Sequence, residues 1–247
     1  MVEKNDPQRL RILSAAYWRL AAHAFRETRL LTFAAIILAL RVAVKAVSIP
    51  LAAGLSITFD CYVNALGSLV YGPLMGLLVG ALSDTLGALL FPSGPYFFPF
   101  IFVEMSSGFI FGLFFWRRPL SVNRALLSKF TVNVVCNMVL TSVTMKWYYY
   151  VFYGVEKAET YAVINLVRIC KNLVLFPVEA MLITLLLHAL LPALRQCGFS
   201  YVRAIDLKLE RKHYLMIAAL LLISVAIVLV YVFWGADFIK ANNIKWL

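Results

Sequence analysis

The stretch Tyr71–Phe115, YGPLMGLLVGALSDTLGALLFPSGPYFFPFIFVEMSSGFIFGLFF, decides how the rest of the chain is read. Gly72, Gly76 and Gly80 recur every four residues, and Asp84 continues the row. That spacing puts them on one helix face, a smooth stripe ending in a carboxylate. A Pro/Gly turn follows, FPSGPYFFP, and a second apolar helix then carries Glu104 in register with Gly108 and Gly112. In lipid, small residues let two backbones touch, and an acid on such a face is costly unless it meets a partner. Glycine rows alone are an ordinary packing device. The row, the acid and the turn together are a more specific signal.

Working outward, the composition fixes the class. The 247 residues are 63% hydrophobic and 14% charged. That much apolar surface requires a polytopic membrane protein. The net charge of +11 sits between apolar spans, as in cytoplasmic membrane loops, so nucleic acid is not expected as a partner. Cys61, Cys136, Cys170 and Cys197 lack C-x-x-C spacing, and His23, His188 and His213 are isolated, so no metal or redox site is expected. No Walker A, G-x-S-x-G or H-E-x-x-H motif occurs, so the chain is not read as an enzyme.

The expected architecture is all-α, with seven spans. Residues 1–28 form an amphipathic cytoplasmic segment, with Leu10, Leu13, Tyr17, Leu20 and Ala24 opposite Arg11, Arg19 and Arg26. The missing apolar h-region argues against a signal peptide there. Residues 29–192 form a six-helix core, with spans at about 30–49, 58–70, 73–91, 96–116, 130–152 and 161–192. A loop is expected at 50–56, a basic cytoplasmic loop at 117–129 and another at 193–212. Residues 213–247 hold one additional helix. In all, 15 of the 23 Lys and Arg residues then fall on one side. This puts the amino terminus inside and the carboxyl terminus outside.

Polar residues on apolar helices are the candidate site. Arg41, Lys45, Arg168 and Lys171 are expected near the outer side as a basic pocket for ligand carboxylates. Tyr96, Phe97, Phe98 and Trp147 are expected to stack on a flat ring, and Asn64, Asn137 and Asn172 to supply amide edges. Asp84, Glu104 and Glu179 are expected as structural polar residues. Asn165, Arg168, Asn172 and Glu179 share one face of the sixth span. Arg168 and Lys171 can also be read as members of an internal ion pair. Ala35, Ala39 and Ala43 make a small-residue row on the first span.

Two segments carry a family resemblance. Tyr71, Gly72, Pro73, Gly76, Gly80, Asp84, Gly87, Pro92, Gly94, Tyr96, Phe97, Pro99 and Phe100 resemble the pattern of membrane-embedded substrate-binding S components of energy-coupling factor (ECF) vitamin transporters, folate type. The run Phe98-Pro99-Phe100 departs from it. Arg168, Ile169, Lys171, Asn172, Pro177 and Glu179 resemble a second segment of the same group. The resemblance covers about residues 28–192. It implies a subunit of the bacterial plasma membrane that binds a vitamin, most simply folate, as a transported ligand, with no cofactor. It also implies a shared transmembrane scaffold subunit and two ATPase subunits as partners, with the Ala35, Ala39 and Ala43 row docking on the scaffold. Two other readings remain open. One is the same fold with another vitamin, such as pantothenate, cobalamin or a precursor. The other is a membrane enzyme or structural subunit with no tight ligand.

Overall fold

The computed structural model describes residues 12–52, 55–92, 95–160, 166–203, 207 and 211–230. Among the described residues the fold is all-α apart from one small hairpin. Helix α1 (Ala15–His23) starts at Ser14, whose hydroxyl accepts the Tyr17 N–H at 3.3 Å. Its Tyr17 and Ala21 faces are buried against the bundle, next to Trp116. Arg19 and Arg26 are exposed, as the amphipathic pattern predicts, whereas Leu13 precedes the helix and is 97% exposed. Leu10 and Arg11 lie outside the described residues.

Helix α2 (Thr28–Lys45) leads into strands β1 (Ser48–Ala52) and β2 (Leu55–Thr58). They pair antiparallel, Ser48 opposite Thr58 and Ile49 opposite Ile57. The loop expected at 50–56 is therefore a β-hairpin. Pro50 cannot continue a helix, and the flanking isoleucines favour extended backbone. Helices α3 (Asp60–Tyr71) and α4 (Pro73–Leu90) follow. Between them Gly72 adopts φ +85° with the Trp116 ring against its Cα, and Pro73 opens α4.

Helix α5 (Phe100–Phe115) begins after Pro99, four residues later than expected. The next helix begins at Val122, eight residues earlier than expected, because Ser121 caps it by accepting the Arg124 N–H. It runs unbroken as α6 (Val122–Val132), a π-helical segment (Asn133–Leu140) and α7 (Thr141–Tyr153). Arg124 and Lys129 thus ride on a helix, and the loop expected at 117–129 shrinks to a short turn. Helices α8 (Val155–Thr160), α9 (Leu166–Gln196), α10 (Ser200–Arg203) and α11 (Arg211–Val230) complete the chain. Asn165 and residues 231–247 lie outside the described residues.

Among the described residues three helices are long and apolar enough to cross a membrane: Pro73–Leu90, Val122–Tyr153 and Lys171–Gln196. Leu78, Leu82 and Leu86 are exposed on the α4 face away from the glycine row. In water such a stripe would be a liability; in a bilayer it meets lipid tails.

The glycine rows set the α4/α5 seam. A Cβ on Gly76 would stand 2.6 Å from the Gly108 carbonyl oxygen, and one on Gly80 would stand 2.5 Å from the Glu104 carbonyl oxygen. The two backbones are in direct contact there. One turn further along, the row reaches Asp84 on α4 and Phe100 on α5. Side chains stand at both positions, Phe100 is the first residue of α5, and both residues line a cavity.

Candidate functional site

The sequence places charges on α2, α3, α5, α6 and α9, and the bundle brings them together in two networks. Arg41 is fully buried. Its Nε and Nη2 donate to the two Asp60 carboxylate oxygens at 2.8 and 2.9 Å. Nη2 also donates to Glu104 Oε2 at 2.7 Å, and Nη1 to Asn64 Oδ1 at 3.3 Å. Asn64 Nδ2 donates onward to Ser107 Oγ at 3.0 Å. Lys45 Nζ lies 3.8 Å from Glu104 Oε1 and donates to the Ser83 carbonyl at 3.2 Å.

The second network runs between α6, the π segment and α9. Lys129, 2% exposed, holds Glu179 Oε2 at 3.2 Å and lies 3.3 Å from Cys61 Sγ. Asn133 Nδ2 donates to the same Glu179 oxygen at 2.9 Å. Asn137 Nδ2 donates to Asn133 Oδ1 and to Asn172 Oδ1, both at 3.2 Å. Asn172 Nδ2 then donates to the Arg168 carbonyl at 2.9 Å. Asn133 and Asn137 sit on the π-helical segment, a form that recurs at functional sites.

A polar cavity of about 120 Å³ lies between the networks, walled by Asp60, Glu104, Ser107, Lys129, Asn137 and Glu179. Three of these are carboxylates. Glu104 Oε1 and Glu179 Oε1 accept no hydrogen bond among the described residues.

A second cavity of about 330 Å³ lies by the carboxyl end of α4 and the start of α5. Asp84, Tyr96, Phe97, Phe100, Met145 and Tyr148 wall it. Phe97 is its hub, with ring centroids 5.5 Å from Trp147, 5.6 Å from Tyr148 and 6.1 Å from Phe100. Phe100 lines this cavity, and Glu104, one turn on along α5, lines the polar one.

The expected site residues divide accordingly. Tyr96 and Phe97 wall the aromatic cavity, whereas Phe98 is exposed and packs on Phe102. Trp147 is half exposed behind Phe97. Asn137 walls the polar cavity, with Asn64 and Asn172 one hydrogen bond behind its wall. Arg41 gives its donors to Asp60, Glu104 and Asn64. Arg168 and Lys171 stand half-buried in the first turns of α9, beyond the Asn172 rung. Glu104 and Glu179 are cavity walls and not only structural, and Asp84 lines the aromatic cavity. Ala35, Ala39 and Ala43 are all exposed on α2.

Lys129, Asp60 and Cys61 were not among the expected site residues. Lys129 falls in the stretch expected as a basic loop, yet it lies on α6. Its four-residue spacing to Asn133 and Asn137 was the available signal.

The sequence model of the family described as "ECF-type riboflavin transporter, S component" matches residues 26–192. The folate transporter FolT of Clostridium novyi (strain NT) is 29% identical over 119 residues, which is 48% of this chain and 64% of that protein. The folate transporter FolT of Leuconostoc mesenteroides is 26% identical over 133 residues, 51% of this chain and 66% of that protein. The chain therefore spans slightly under two thirds of the length of these curated relatives. A crystal structure titled as FolT bound with folic acid superposes with a TM-score of 0.52 and 23% identity, covering 64% of this chain and 91% of the other. That likeness shows the fold. With a family match running through α2 to α9 and a fold to accompany it, this chain belongs to the S components of ECF-type transporters.

Proposed function

We propose that this chain is the membrane-embedded folate-binding subunit of an ECF-type importer. The observation that carries the ligand is the acid-rich polar cavity beside an aromatic one. A pterin head presents a 2-amino group and a ring N–H on one edge, two donors side by side. Glu104 and Glu179, both in the wall of the polar cavity, offer carboxylate acceptors for such donors in a low-dielectric interior, where charge-assisted hydrogen bonds are strongest. The aminobenzoyl ring suits the cavity around Phe97. Arg168 and Lys171 remain the candidates for the terminal carboxylates. The folate relatives support the same ligand.

The family description favours a second reading, riboflavin. An isoalloxazine imide edge shows two carbonyls flanking one N–H. Against carboxylates those carbonyls repel. Calorimetry on the purified chain with folate, riboflavin, pantothenate and cobalamin separates the readings. One-to-one tight binding of folate, lost in Glu179→Gln, is the expected result. Tight riboflavin binding with none of folate would overturn the ligand assignment.

The exposed Ala35, Ala39 and Ala43 face supports docking on a transmembrane scaffold subunit driven by two ATPases, since small residues allow close helix approach. The arginines gathered at the α1 end support a cytoplasmic placement for that end and the amino terminus inside. With seven crossings the carboxyl terminus lies outside.

A further inference from the structure

Asp84 is the acid that neither buried network absorbs. It stands half-buried on α4, a helix long and apolar enough to cross a membrane, and continues the Gly76 and Gly80 row. Among the described residues it makes no hydrogen bond and no salt bridge. Arg41 is held by Asp60, Glu104 and Asn64, and Lys45 by Glu104 and the Ser83 carbonyl. A carboxylate on a membrane-spanning helix is costly without a partner, so a ligand group is the natural candidate for one.

The surroundings of Asp84 define what that group is. Asp84 and Ala88, one turn apart on α4, both line the cavity of about 330 Å³, and Tyr96, Phe97, Phe100 and Tyr148 line it with aromatic rings. The Thr85 and Tyr96 hydroxyls, 3.4 Å apart, tie this part of α4 to the segment that carries Phe97. No Lys, Arg or His among the described residues lines the cavity. A carboxylate among aromatic rings disfavours an anion and favours a nitrogen that carries a proton.

In the folate reading this cavity takes the aminobenzoyl ring, and that ring bears an N–H on the nitrogen that bridges it to the pterin. The bridging end of the ring lies toward the polar cavity, where the pterin binds. Asp84 stands toward that end. Gly80, one turn before it, is in backbone contact with Glu104, which walls the polar cavity. Helical side chains lean toward the helix N-terminus, which tilts the Asp84 carboxylate toward the Gly80 turn. We propose that Asp84 is a specificity-determining residue that accepts a hydrogen bond from the bridging N–H of the ligand. This inference rests on the folate reading. The same negative charge keeps the ligand's own carboxylates out of the aromatic cavity, and so fixes which way round the ligand sits.

The test is calorimetry on the purified full chain with two ligands, folic acid and folic acid methylated on the bridging nitrogen, which has no N–H there. A hydrogen bond to a charged acceptor corresponds to about tenfold or more in affinity, so wild type is expected to bind the methylated ligand weaker by that factor. Asp84→Leu is expected to bind folic acid weaker by a similar factor and to distinguish the two ligands no longer. Asp84→Asn keeps the shape of the side chain and offers only a neutral amide oxygen, so an intermediate preference is expected; it serves as well if Asp84→Leu does not fold. Equal wild-type affinities for the two ligands overturn this inference and leave the folate reading standing. A full wild-type preference in both variants also overturns it, because the methyl group would then act by its bulk. A wild-type chain that binds neither ligand overturns the folate reading and this inference with it.

Discussion

A lysine ammonium inside a bilayer persists only with a counter-charge, and Lys129 has Glu179 at 3.2 Å. Removing one partner of such a pair leaves the other buried and charged, which costs about 3–5 kcal/mol. Lys129→Met is therefore expected to lower the unfolding midpoint sharply. Adding Glu179→Gln to it is expected to restore most of the loss, because both charges are then gone. Neither variant is expected to bind folate, since each changes the polar cavity. A double-mutant cycle on stability checks the coupling, and a Lys129→Met protein as stable as wild type would contradict it. The pair was not legible in the sequence, because periodicity reports which residues share a helix face and not which helix that face meets. Arg41 makes the same point. Its burial on α2 was readable, but its choice of Asp60 and Glu104 over a ligand carboxylate depends on how α3 and α5 cross it.

At the scale of elements, the seam of α4 and α5 was the most legible feature. Gly76 and Gly80 on one helix, with Gly108 and Gly112 on the other, leave few alternatives to backbone contact. What spacing could not supply was the cavity that Asp84 and Phe100 line beyond that seam. Gly80→Ala places a methyl group 2.5 Å from the Glu104 carbonyl oxygen, on rigid backbone. Overpacking of this kind costs about 1–3 kcal/mol and shifts Glu104 at the cavity wall. Gly87→Ala is the matched control, because there the added methyl meets the flexible Lys45 side chain. Gly80→Ala is expected to lose both stability and folate affinity, and Gly87→Ala to lose much less stability. Thermal midpoints of the two variants decide the matter; equal losses would mean that the close backbone approach is not what matters. The hairpin and the π segment were hidden for a different reason. Both depend on one or two backbone hydrogen-bond choices that residue type biases only weakly.

For the whole molecule, the two cavities and the exposed α2 alanine face lie on separate surfaces. Arg41 points from α2 into the bundle, where Asp60 and Glu104 hold it. Ala35, Ala39 and Ala43 face outward on the same helix, with Ile36 and Leu40 exposed beside them. One helix thus has a face committed to the buried charge network and a face turned outward. If that outward face docks on a scaffold subunit, a bulky residue there should block assembly without touching the cavities. Ala39→Trp is expected to leave folate affinity within about twofold of wild type, a difference of roughly 0.4 kcal/mol. Co-purification with the scaffold and ATPase subunits, and folate uptake by cells, are both expected to be lost. Intact assembly in Ala39→Trp would remove the alanine face from the interface. A loss of folate binding in the purified variant would show instead that the substitution disturbs α2 from outside to inside, and that the two faces are not independent.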